Sequence, residues 1–270
     1  MTDFQSDNER HRIMRGVLAW EGEISNARVR HLFDVQIIQA SRLLKEFREA
    51  MGDAVVVAGR TKAVRPVMPG KIETDMALDE YIALTGRAPG NAEILVDARV
   101  DLTDIEPRVF ATLRQAALTR SGVEITYSSM KNPIAKARIV FPHAIVQVGR
   151  RWHVRAWCKN RNEFRDFNLG RIRDATARPE LPAPFGAGDD HDWNEKVVVR
   201  LAAHRGLSQD QQKVVREEFF GGTMGRRLTL RLALARYVIQ DIRAALDPDK
   251  EIPPEFQLEV VNPHDLQKWS

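Results

Sequence analysis

Four strand-like runs follow one another between residues 122 and 172 with nothing longer than a tight turn between them. GVEITYSS, KARIVFPHAIVQVG, RRWHVRAWC and EFRDFNLGRI are rich in β-branched and aromatic residues, and turns fall at Lys131–Pro133, Gly149–Arg150 and Lys159–Asn162. Strands joined this tightly pair antiparallel with their neighbours, so the stretch predicts a small β-barrel. Its charge is unusual. Residues 120–178 hold 13 Lys and Arg against 4 Asp and Glu, whereas the whole 270-residue chain carries only +4. Three explanations compete: a solvated face, a nucleic-acid track, or a pocket for an anionic ligand.

Alternation sorts the side chains. In RRWHVRAWC, Trp152, Val154 and Ala156 share one face, and His153, Arg155 and Trp157 the other; in EFRDFNL, Arg165, Phe167 and Leu169 lie together. Arg, His and aromatic residues on one face are costly to bury unless something pairs with them. They suit an anion that also has a flat ring, because arginine offers forked donors and a stacking plane. The ligand-facing candidates are Tyr127, Ser128, Ser129, His143, His153, Arg155, Arg165, Phe167 and Arg171. Trp152 reads as core, and Arg161 and Arg173 as solvated.

Upstream, NERHRIMRGVLAW places Ile13, Met14, Val17, Leu18 and Trp20 at helical spacing, and Ser25 and Asn26 offer a cap to a short second helix. A turn near Asp34 leads to a third helix with an expected buried stripe of Ile37, Leu43, Leu44 and Phe47. AVVVAGRTKAVRPV then reads as a hairpin. Three helices and a hairpin predict a winged helix-turn-helix. Its third helix exposes Gln36, Gln39, Ser41, Arg42 and Lys45, and Gln and Arg read adenine and guanine through paired hydrogen bonds. Arg28 and Arg30 are candidates for phosphates, and Arg60, Lys62 and Arg65 for the flanking backbone or minor groove.

Residues 71–119 read as an acidic connector with a helix near Asp79–Leu84, a strand at Ile94–Ala98 and a helix at Glu106–Leu118. PELPAPFGAGDDHDW, residues 179–193, reads as a linker, its Asp189–Asp192 run as solvated acid rather than a metal site. Beyond it, strand, helix, strand, helix and strand patterns predict a small α+β domain over 194–270. The fold class is thus α+β multidomain: a winged helix-turn-helix over 1–70, a connector over 71–119, a β-barrel over 120–178, a linker over 179–193 and the C-terminal domain. No phosphate loop, dinucleotide fingerprint or paired-cysteine metal pattern is present, so neither an enzyme nor a cofactor is expected. A single cysteine, Cys158, and no membrane-length apolar run suit a cytoplasmic protein.

Trp152-His153-Val154 stands where WYL-domain proteins carry Trp-Tyr-Leu, inside a Gly-Arg-x-Trp-x-Val-x-Ala-Trp pattern, and EFRDFNLGRIRDA is similar to their Arg-x-Phe-x-Leu-x-Arg-Ile ending. LAWEGEISNARVRHLFDVQIIQASRLLKEFRE resembles the winged-helix half of the BrxR/CapW branch, repressors linked to bacterial anti-phage defence systems. The resemblance implies an Sm-like WYL barrel and a C-terminal WCX domain that dimerises. It also implies repression of a defence operon at an inverted-repeat DNA operator, relieved when the barrel senses a nucleotide or nucleic-acid effector. Tyr127, Ser129, His143, Arg155, Arg165 and Arg171 lie in the strands that line that family's ligand site. His153 departs from the family tyrosine, which changes hydrogen bonding and bears on pH response. A different reading remains open: the basic barrel binds single strands by stacking and charge, and the winged helix serves assembly.

Overall fold

The structure is a computed structural model that describes residues 7–85, 94–96, 98 and 102–265. The chain divides into two compact units, residues 1–99 and 100–270, each with its own apolar core.

The first unit begins with α1 (Asp7–Glu21), whose Ile13, Met14, Val17 and Leu18 are buried at the expected helical spacing. Gly22 ends it with a positive φ of 75°. The Ser25 hydroxyl accepts the Arg28 amide at 3.2 Å and so caps α2 (Asn26–Phe33). Asp34 then adopts a left-handed φ of 50°, and α3 (Ile37–Met51) starts two residues after Val35. Its buried stripe is Ala40, Leu43 and Phe47. Ile37, expected in that stripe, is 58% exposed. It is the first helical residue, one turn ahead of where α3 meets the core, and Ala40 takes its place. A hairpin follows, β1 (Val55–Ala58) with β2 (Ala63–Pro66), and Ile24 joins it through two 2.9 Å backbone bonds with Val64. The described part of this unit closes with α4 (Leu78–Thr85). The strand expected at Ile94–Ala98 is absent among the described residues there; Asp97 lies outside them.

The second unit opens with α5 (Pro107–Thr119). Pro107 occupies the first turn, where its missing N–H removes no helical bond. Five antiparallel strands follow: β3 (Ser121–Tyr127), β4 (Lys136–Val148), β5 (Arg151–Cys158), β6 (Glu163–Asn168) and β7 (Ile172–Pro182), ordered β6-β5-β4-β3-β7. EFRDFNLGRI is therefore not one strand. A 3-10 turn at Leu169–Arg171 breaks it, and the chain returns as β7 beside β3. Val109 and Leu113 of α5 pack on Val123, Val154, Ala156 and Cys158.

The segment expected as a linker is structured. It contains the end of β7, a 3-10 turn at Ala187–Asp189 and α6 (His191–Asn194). A second sheet follows, from β8 (Lys196–Ala203), β9 (Gly225–Arg231), β10 (Ala244–Ala245) and β11 (Leu258–Val260), ordered β10-β11-β8-β9. Helices α7 (Gln209–Phe220) and α8 (Leu232–Asp241) bury Val215, Phe220, Ala235 and Ile239 in its core. The strand and helix alternation expected over 194–270 is present. Among the described residues no helix is long and apolar enough to cross a membrane.

Candidate functional site

Two arrangements carry chemistry, one in each unit. In the first, Gln36 stands at the N-cap of α3 and is exposed together with Gln39, Ser41, Arg42 and Lys45 of the helix; Ser41, Arg42 and Lys45 lie opposite Leu43 and Phe47, whereas Gln39 flanks that buried stripe in the first turn. The Ser41 hydroxyl donates to the Ile37 carbonyl at 2.9 Å and accepts from Asn26 at 2.8 Å, so it braces the α2–α3 turn. Arg42 and Lys45 lie 3.5 and 3.8 Å from Glu46 and Glu49, exposed pairs that hold little energy. Ile38 is 82% exposed beside Gln39, an apolar contact surface that the expected stripe had not included.

The basic candidates around α3 divide in two. Arg30, Arg60 and Lys62 are exposed; Arg60 and Lys62 lie in the β1–β2 turn, where Lys62 takes a left-handed φ of 50°. Arg28 is committed elsewhere: its guanidinium grips Glu21, with Nε 3.0 Å from both carboxylate oxygens, and the Tyr81 hydroxyl donates to the same group. It braces α1 against α2 instead of reaching out. Arg65 donates to Glu23 at 2.8 Å, an exposed pair open to exchange.

In the second unit the ligand candidates separate onto two networks. Arg155 and His143 meet at Asp190. Arg155 donates from Nε at 2.7 Å and from Nη2 at 2.9 Å, a bidentate fork, and His143 Nε2 lies 2.9 Å from the same carboxylate. Asp190, expected in a solvated run, is 1% exposed. It also accepts the Trp193 amide at 3.2 Å and so caps α6. Trp193 and Phe164 pack edge-on against the His143 ring. Burial alone raises a carboxyl pKa, but the hydrogen bonds from Arg155 and His143 outweigh it and hold Asp190 well below the usual carboxylate range. Arg155 and His143 thus anchor the 179–193 segment to the five-stranded sheet.

Five of the remaining candidates, Tyr127, Ser129, Arg165, Phe167 and Arg171, line a cavity of about 680 Å³, whose wall does not include Ser128 or His153. Tyr127 comes from the end of β3 and Ser129 from the loop after it, Arg165 and Phe167 from β6, and Arg171 from the 3-10 turn. Sequence reasoning missed Lys131, Arg138, Asp166 and Tyr237, all in the wall; Arg161, expected to be solvated, is exposed and also stands at the wall. Five cationic side chains therefore face two carboxylates, Glu163 and Asp166. The Arg138 Nε is buried with no hydrogen-bond partner among the described residues. Ser129 is tied to its own loop, accepting the Asn132 amide at 3.0 Å. The Ser128 hydroxyl is buried and without a hydrogen-bond partner among the described residues.

Asp166 bridges the two networks. It sits opposite Arg155 in the β5–β6 register, and its Oδ2 accepts from Arg155 Nη1 and from the Tyr237 hydroxyl, both at 3.3 Å. Burial raises its pKa and the Arg155 charge opposes the rise. Burial likewise raises the Tyr237 hydroxyl, and the neighbouring Asp166 charge adds to it. His153 stacks on Tyr237 at 4.7 Å between centroids. Burial, then the charges of Arg151 and Arg171, push its pKa down to about 4, so its ring is neutral near pH 7. Tyr237 belongs to α8, so the cavity is built jointly by the five-stranded sheet and the C-terminal sheet domain.

Comparison with known proteins agrees with this division. The family model of the WYL domain matches residues 108–177. That of the BrxR transcriptional regulator C-terminal dimerization domain matches residues 196–266. Among curated proteins, the chain is 28% identical to the DNA-binding transcriptional repressor CapW of Stenotrophomonas maltophilia, over 93% of this chain and 88% of that one. It is 28% identical to CapW of Escherichia coli strain KTE188 over 92% and 87%, and 26% identical to CapW of Pseudomonas aeruginosa over 93% and 87%.

Proposed function

We propose, from the premise that this chain is a WYL-domain protein with a BrxR-type C-terminal dimerization domain, that it is a homodimeric DNA-binding transcriptional repressor controlled by an anionic effector. The observation that carries the reading is the solvent face of α3. Gln36 at its N-cap, Gln39 in its first turn and Arg42 are exposed about one turn apart, with the N-terminal residues leading, as reading base edges in a major groove requires. Ile38 adds an apolar group suited to a thymine methyl. Arg30, Arg60 and Lys62 flank it as phosphate ligands. The three helices and the hairpin support a winged helix-turn-helix, and the β7-β3-β4-β5-β6 order, with the last strand back beside the first, supports a small Sm-like barrel. The similarity to named repressors over more than nine-tenths of the chain supports repression, as opposed to catalysis.

The effector site in this reading is the basic cavity shared by β6 and α8. Tyr127, Phe167 and Tyr237 supply aromatic walls, and Arg138, Arg165 and Arg171 supply charge, a combination suited to a nucleotide or nucleic-acid fragment. An effector changes DNA affinity only if it binds the operator-competent and incompetent geometries differently. The regulated genes are proposed to be a defence operon, on the strength of the family resemblance.

The test is a gel-shift titration on the duplex upstream of the chain's own gene, beside scrambled duplex and single strands. Saturable, competitor-resistant binding to the upstream duplex is expected, and Gln39→Ala weakens it about tenfold while leaving scrambled-duplex binding unchanged. Preference for single strands, or none, overturns the reading and moves the function to the basic cavity.

A further inference from the structure

Asp166 is hard to reconcile with a cavity that takes a bare anion. It is a carboxylate set among five cations, its side chain 12% exposed. Its Oδ2 is occupied by Arg155 and Tyr237, whereas its Oδ1 has no hydrogen-bond donor among the described residues. An anion without donors would be repelled by this group and would leave Oδ1 unpaired as it closed the cavity over it, and a buried acceptor without a donor is costly. A ligand that brings an N–H to Oδ1 removes both penalties. The rings of Tyr127, Phe167 and Tyr237 line the same space and suit a base beside that carboxylate.

We propose that Asp166 makes this cavity selective for a nucleotide whose base carries an exocyclic amine, the amine donating to Asp166 while the phosphate meets Arg138, Arg165 and Arg171. The proposal rests on the reading of this cavity as the effector site. Carboxylates pair with the cytosine amine. Uracil offers in the same place a carbonyl, and its one ring N–H stands between two carbonyls that the carboxylate repels. A site built to satisfy a buried polar group discriminates strongly against the analogue that fails to do so. Tyr237 holds the same carboxylate from α8, so the group that reads the base is also bonded to the C-terminal domain.

The experiment is calorimetric titration of the full chain with cytidine 5′-monophosphate, uridine 5′-monophosphate and inorganic pyrophosphate. Wild type binds the cytidine nucleotide about tenfold more tightly than the uridine one, and more tightly than pyrophosphate. Asp166→Asn reverses the base preference, because the carboxamide donates to the uracil carbonyl; thermal melts verify that it folds. If it does not fold, the wild-type ranking decides alone. Equal affinity for the two nucleotides, or pyrophosphate as tight as the cytidine nucleotide, overturns the selectivity. In that case loss of binding in the Arg165→Ala/Arg171→Ala double variant leaves the cavity standing as the effector site. Binding that survives that double variant, or no binding by any of the three probes, overturns both.

Discussion

Removing the Asp190 carboxylate strands two buried partners at once. Arg155 keeps only the 3.3 Å contact with Asp166 and a distant Asp192, and His143 Nε2 loses its acceptor. An uncompensated buried charge dominates such a deletion, so Asp190→Ala should destabilise the second unit by about 3 kcal/mol, read from the urea midpoint, and Asp190→Asn by less because its amide oxygen still accepts. Acid tests a different residue. Unfolded His153 titrates near 6.5 and folded His153 near 4, so between those values only the unfolded chain gains the proton. Stability therefore falls as pH drops from 6.5 to 4, and above 6.5 His153 adds no pH dependence because both states are neutral. Asp190 has a lowered pKa and loses its contribution only below its ordinary 3.8, a separate window. His153→Phe should flatten the urea midpoint between pH 6.5 and 4 relative to wild type; an unchanged slope sinks the assignment. The two acids also differ in how visible they were. Asp166 was missed although a signal existed: once the Lys159–Asn162 turn pairs Cys158 with Glu163, the register puts Asp166 opposite Arg155. Asp190 left no such signal, because DDHDW is spelled like solvated acid and its partner lies 35 residues away.

At the scale of the element, α3 has two faces that mutation should separate. Phe47 is 1% exposed, and Phe47→Ala should cost about 3–5 kcal/mol in chemical unfolding of the first unit. Gln39→Ala removes an exposed side chain and should leave the melt unchanged while lowering operator preference. If both substitutions move stability alike, the exposed face is part of a packing surface and the DNA reading fails. Salt dependence separates the arginines of α2. Arg30→Ala should reduce the slope of log affinity against log salt by about one, whereas Arg28→Ala should leave that slope near wild type and lower the melting temperature, because Arg28 is spent on Glu21. The helices themselves were readable from period, caps and turn residues: Ser25 and Pro107 do what their positions implied. The stripe of α3 was misjudged by one turn because Ile37 is apolar yet lies at the helix start, ahead of the core, and apolarity alone does not say where a neighbour begins. The 3-10 break at Leu169–Arg171 falls where EFRDFNLGRI loses its alternation: Phe167 and Leu169 share a face, but Ile172 is out of phase with them.

At the scale of the molecule, the proposed reading of an inverted repeat would require two α3 helices delivered together, and the C-terminal match to a dimerization domain is consistent with that. A dimer fixes the distance and rotational phase between its recognition helices, so affinity belongs to the spacing of the half-sites as much as to their sequence. Inserting five base pairs between half-sites turns one of them about half a helical turn away, roughly to the opposite face of the duplex. Affinity should then fall toward that of an isolated half-site in the gel shift, although every base the protein reads is still present. Binding indifferent to the insertion would mean independently acting copies or a flexible coupling, and a flexible coupling could not carry a signal from the cavity to the DNA. The same measurement in the presence of a saturating effector asks whether induction acts on geometry. If it does, the effector should weaken the correctly spaced operator and leave half-site binding where it was, because an isolated half-site places no demand on the partner's position.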